Sequence, residues 1–65
     1  MTNILKARQT NDGWRYNLDG EVGLDPHQTV TRLHEHHGLR FAEAREKMEY
    51  ARKGSVVKLR TLEDA

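Results

Sequence analysis

Residues 25–39, DPHQTVTRLHEHHGL, decide how this chain folds. Asp25 can cap a helix, Pro26 fits its first position because the missing N–H would be unpaired there anyway, and Gln28 can complete a capping box. The spacing therefore predicts a helix over 26–37. Val30 and Leu33 form its apolar stripe, with His34 and His37 continuing the same side. Gly38 supplies the left-handed position that ends it, and Leu39 stands where such a cap takes a hydrophobic contact.

A second helix is expected over 40–53. Phe41, Ala44, Met48 and Ala51 recur at helical spacing, and Gly54 is its stop. Glu43 with Lys47, and Glu49 with Lys53, are surface pairs in the favoured order, while Arg52 and Lys53 complement the helix dipole.

Upstream of the helices, ILKARQ, TNDG and WRYNL read as a β-hairpin over 4–18. Trp14, Tyr16 and Leu18 alternate with Arg15 and Asn17, the period of a strand with one buried face, and Leu5 and Ala7 extend that face. The glycines of DGEVGL point to an irregular connection over 19–24. Downstream, SVVKLRTL alternates again, predicting a strand over 55–62 and a polar tail over 63–65.

The order β-β-α-α-β implies an α+β fold, a three-stranded antiparallel or mixed sheet with a two-helix hairpin packed on one face. The 65 residues suffice for one small domain. Such a chain buries roughly 60% of its unfolded surface. With no cysteine there is no disulfide to reinforce it, which fits a reducing compartment and leaves self-association, such as a homodimer, as the route to extra stability. Apolar runs are far short of the roughly 20 residues that span a bilayer, and MTNILKARQ lacks the apolar stretch of a signal peptide. A soluble, cytoplasmic protein without membrane contact is the expectation.

Eleven Lys and Arg stand against ten Asp and Glu, so any electrostatic function must come from placement. Alternation alone puts Lys6, Arg8, Arg15, Asn17, Lys58 and Arg60 on the sheet face opposite the helices. None of the three expected strands contains a carboxylate. Such a face suits an acidic protein surface or the phosphates of DNA or RNA, although Lys and Arg also serve as ordinary solvent-facing residues that protect sheet edges. Trp14 and Tyr16 fall on the core side, so the stacking platform used for single-stranded nucleic acid is not expected.

The histidines are candidate metal ligands by residue type. His34 and His37, one turn apart, are the pair placed to share an ion, while Glu35 and His36 point elsewhere. The H-E-x-x-H signature fails because position 38 is Gly. His27 precedes His34 by two turns, roughly 10 Å along the axis. A closed site would need ligands from another segment or another copy, so neither a metal nor another cofactor is expected, and the cluster reads as a helix end. Catalysis has no better footing. Ser55 is the sole serine, and the pattern places no carboxylate pair in a common cleft.

From Thr29 to Leu59, TVTRLHEHHGLRFAEAREKMEYARKGSVVKL resembles the helix-turn-helix-strand segment of the C-terminal domain of the bacterial ribosomal stalk protein. Gly38 and Leu39 correspond to its Gly-Leu turn, and Phe41, Glu43, Ala44 and Arg45 to its Leu-Lys-Glu-Ala-Lys motif. In that family basic residues on these helices recruit translation factors. The resemblance implies a helix-hairpin protein-binding scaffold, with Arg45 keeping the family's charge and Thr31, His34 and Ala42 departing from it. Size and type also resemble the small regulators and inhibitors encoded by phages and mobile elements. The reading that follows is a non-enzymatic adaptor or inhibitor of a larger protein assembly, with nucleic-acid binding through the basic sheet face as the alternative and metal binding through His34 and His37 as a remote one.

Overall fold

The structure, a computed structural model, describes residues 3–60. It is an α+β fold in two layers. The strands are β1 (Ile4–Thr10), β2 (Gly13–Leu18), β3 (Glu21–Leu24) and β4 (Val57–Lys58), and the helices are α1 (Pro26–His37) and α2 (Phe41–Arg52). The sheet order is β3-β2-β1-β4, with every neighbour antiparallel.

Both hairpins arise from local turn chemistry. Thr10 faces Gly13 across the first turn, where the Thr10 hydroxyl donates to the Gly13 carbonyl at 2.8 Å and accepts from the Asp12 N–H at 3.2 Å. Asp19 and Gly20 close the second turn between the paired Leu18 and Glu21, with φ values of 52° and 86°. Two successive positive φ angles give the turn twist that matches flanking strands, and Asp-Gly is a favoured sequence for it.

This second turn corrects the expected connection over 19–24, because Glu21–Leu24 pairs with β2 as a fourth strand. The register runs from Leu18↔Glu21 to Tyr16↔Leu24, so β3 has one extra residue, a β-bulge. The bulge breaks the alternation within EVGL. Gly23 sits in it at φ 79°, and its N–H donates to the Asn17 side-chain carbonyl at 3.3 Å. As a result Leu24 enters the core, and Glu21 forms an ion pair with Arg32 of α1.

The helices begin and end as their sequences dictate. The Asp25 carboxylate accepts from the Gln28 N–H at 2.7 Å and the Gln28 side chain accepts from the Asp25 N–H at 3.2 Å, a complete capping box. Gly38 adopts φ 68°, and the Leu39 N–H returns to the Leu33 carbonyl at 3.3 Å, which satisfies a carbonyl that would otherwise be orphaned. At the start of α2 the Glu43 carboxylate accepts from the Arg40 N–H at 3.3 Å. The second helix is one residue shorter at each end than the expected 40–53.

Leu5, Tyr16, Leu18, Leu24 and Val57 from the strands pack with Leu33, Ala44, Met48 and Ala51 from the helices, and Ala7, Trp14, Val30, Leu39 and Leu59 border them. The intervening strand residues Lys6, Arg8 and Lys58 are exposed, so one sheet face is covered and the other open. Of the strand expected over 55–62, Val57–Lys58 is regular. The Leu59 N–H prolongs its contact by donating to the Asn3 carbonyl at 2.8 Å. Thr61, Leu62 and the tail over 63–65 lie outside the described residues. No helix among the described residues is long and apolar enough to cross a membrane.

Candidate functional site: the open face of the sheet

Strand alternation carries Lys6 and Arg8 of β1, Arg15 of β2 and Lys58 of β4 to the face the helices leave uncovered. The register makes them neighbours. Arg8 lies directly opposite Arg15, Lys6 opposite Asn17, and Lys58 opposite Ile4. Lys6 and Arg8 are two residues apart on one strand, about 7 Å. Like charges placed directly opposite each other are destabilising, so Arg8 and Arg15 form a locally unfavourable pair. One Arg15 nitrogen already donates to the Trp14 carbonyl at 3.1 Å, which fixes the base of that guanidinium.

The fourth strand alters the composition of the face without neutralising it. Its carboxylate, Glu21, is engaged by Arg32 of α1. Val22, 72% exposed, joins Ile4, Lys6, Asn17 and the edge of Glu21 itself in lining a shallow hollow of about 200 Å³ beside the Asp19–Gly20 turn. The face thus combines cations with two aliphatic groups. Arg60, also expected here, is exposed two residues beyond β4, and its carbonyl is held by His37.

Arg45 lies in the other layer. It is exposed on α2 and lines a groove between the helices with Pro26, His27, Val30, Met48 and Arg52. The structure therefore separates Arg45 from the sheet-face cations.

The histidines are divided in the same way. His34 is exposed, stacks on Phe41 with ring centroids 4.5 Å apart, and contacts the Leu39 carbonyl through Nδ1 at 2.9 Å. His37 is buried. Its Nδ1 donates to the Arg60 carbonyl at 2.6 Å, since a carbonyl can only accept, and its Nε2 meets Asp19 Oδ2 at 2.7 Å. That second contact joins an imidazolium to a carboxylate or a neutral ring to a carboxylic acid, and in either form the pair shares one proton. With both nitrogens of His37 occupied, His34 and His37 do not converge as ligands. No group of three or more His, Cys, Asp or Glu able to hold a metal occurs among the described residues.

The Asp19–His37 pair was not visible in the sequence, because its partners are 18 residues apart and meet only when β2 docks on α1. The pairing of Arg45 with Arg52 did carry a signal. They lie seven residues apart on one side of a helix, with Met48 between them. No family model matches the chain, and no curated protein or solved structure matches it either.

Proposed function

We propose that the chain is a non-enzymatic binding module that docks the uncovered face of its sheet onto an acidic surface of a larger protein or protein assembly. The observation that carries this reading is the make-up of the face. Lys6, Arg8, Arg15 and Lys58 lie together with the aliphatic Ile4 and Val22, and the nearest strand carboxylate, Glu21, is tied to Arg32. Protein interfaces reward such a mixture, because the cations orient the partner while aliphatic contacts add burial. A phosphate backbone makes little use of the aliphatic groups.

Chemistry at the buried histidine is disfavoured by its bonding, as neither ring nitrogen of His37 is free to take a proton from a substrate. The facing Arg8 and Arg15 favour a second reading, contact with nucleic-acid phosphates. Tyr16 is fully buried and Trp14 borders the core, so no aromatic platform supports base stacking on this face.

The test is affinity capture from nuclease-treated lysate of the source cell, comparing the native chain with one carrying Lys6→Glu, Arg8→Glu, Arg15→Glu and Lys58→Glu. A protein recovered by the native chain and lost with the substituted one supports the docking reading. Equal recovery by both overturns it, and enrichment of nucleic acid alone in untreated lysate transfers the face to the second reading.

A further inference from the structure

We infer that the molecule has a second docking surface on its helical side, a groove that receives an acidic amphipathic segment of a partner protein. The groove, of about 350 Å³, runs between the first half of α1 and the Arg45–Arg52 stretch of α2 and is lined by Pro26, His27, Val30, Arg45, Met48 and Arg52. Its floor is apolar, from half-buried Val30 and buried Met48. Its rim carries two guanidiniums and an imidazole, and among the described residues no carboxylate lines it.

One further feature favours a negative occupant. One Arg52 nitrogen donates to the buried Tyr16 hydroxyl at 3.1 Å. That bond holds the guanidinium in place with its remaining N–H groups available, which lowers the ordering cost of gripping a carboxylate. An isolated anion would satisfy the arginines but leave Val30 and Met48 unused. An amphipathic helix with Asp or Glu beside aliphatic anchors satisfies both, the helix-in-groove mode of peptide recognition.

This surface is formed by the helical layer and the basic sheet face by the opposite layer, so the two proposals stand or fall separately. Together they describe an adaptor that engages acidic elements on both sides.

The experiment is backbone amide shift mapping on the intact chain, titrated with a synthetic peptide bearing leucines at i, i+3, i+4 and i+7 and glutamates elsewhere. Saturable shifts at Val30, Arg45, Met48 and Arg52 are expected, weakened at least about tenfold by Arg45→Glu, an exposed position whose substitution leaves the fold intact. Tyr16→Phe removes the hydroxyl that holds Arg52 and should weaken the same titration about threefold, with little change to the core. Shifts confined to Lys6, Arg8, Arg15 and Lys58, or no saturable shifts, would overturn the inference. So would equal binding in the groove by oligoglutamate or inorganic phosphate, which would make it a simple anion site.

Discussion

Replacing His37 with alanine should come close to unfolding the protein. The imidazole is buried, with 1% of its side chain exposed, and ties three segments together: the end of α1, the Asp19–Gly20 turn and the chain just after β4. Its removal leaves the Arg60 carbonyl without its imidazole donor and Asp19, whose Oδ1 already lacks a partner among the described residues, with neither carboxylate oxygen satisfied by them. Each buried polar group so abandoned costs about 1–3 kcal/mol. Asp19 keeps 19% of its side chain exposed and Arg60 is itself an exposed residue, which discounts both shares, so the sum is about 2–4 kcal/mol. A domain of this length has roughly 3–10 kcal/mol of stability in total. The melting temperature should therefore fall by about 10–30 °C.

Two controls sharpen the measurement, made by circular dichroism with heat and urea. The exposed neighbour His36→Ala should stay within about 0.5 kcal/mol of the native chain. Asp19→Asn should cost only about 1 kcal/mol, since an amide can donate to Nε2 of a neutral ring and Asn tolerates the left-handed turn position. A His37→Ala protein that melts within about 3 °C of the native one would show that the clasp does not hold the three segments together.

Three other substitutions test neighbouring steps. Gly38→Ala places a Cβ at φ 68° and should cost about 1–2 kcal/mol in urea denaturation. Asp25→Ala removes the acceptor for the Gln28 N–H and should cost about 1 kcal/mol, again read in urea. Val22→Ser, at a position 72% exposed, should leave stability within about 0.5 kcal/mol yet reduce capture of a protein partner, while contact with phosphates alone would be unaffected.

The parts of the fold legible in the sequence are those whose causes are local. Asp25, Pro26 and Gln28 announce α1, Gly38 ends it, and the alternation through Trp14, Tyr16 and Leu18 assigns the buried face of β2. The fourth strand was obscured because its bulge places Gly23 where a strand pattern needs alternation, although Asp19-Gly20 carries the turn signal of a hairpin. The site divides on the same principle. Alternation sufficed to put Lys6, Arg8, Arg15 and Lys58 on one surface, but their partnerships came from register. The Asp19–His37–Arg60 clasp and the Tyr16–Arg52 contact depend on layers meeting across long sequence separations, which no local pattern encodes.

Docking is expected to run through the uncovered sheet face. The most direct measurement is quantitative capture of protein partners from nuclease-treated lysate by the native chain and by the chain with Glu at positions 6, 8, 15 and 58, both first shown to be folded. A partner bound by the native chain, released as salt rises and absent from the substituted chain is the expected result. A partner retained equally by both chains would contradict it.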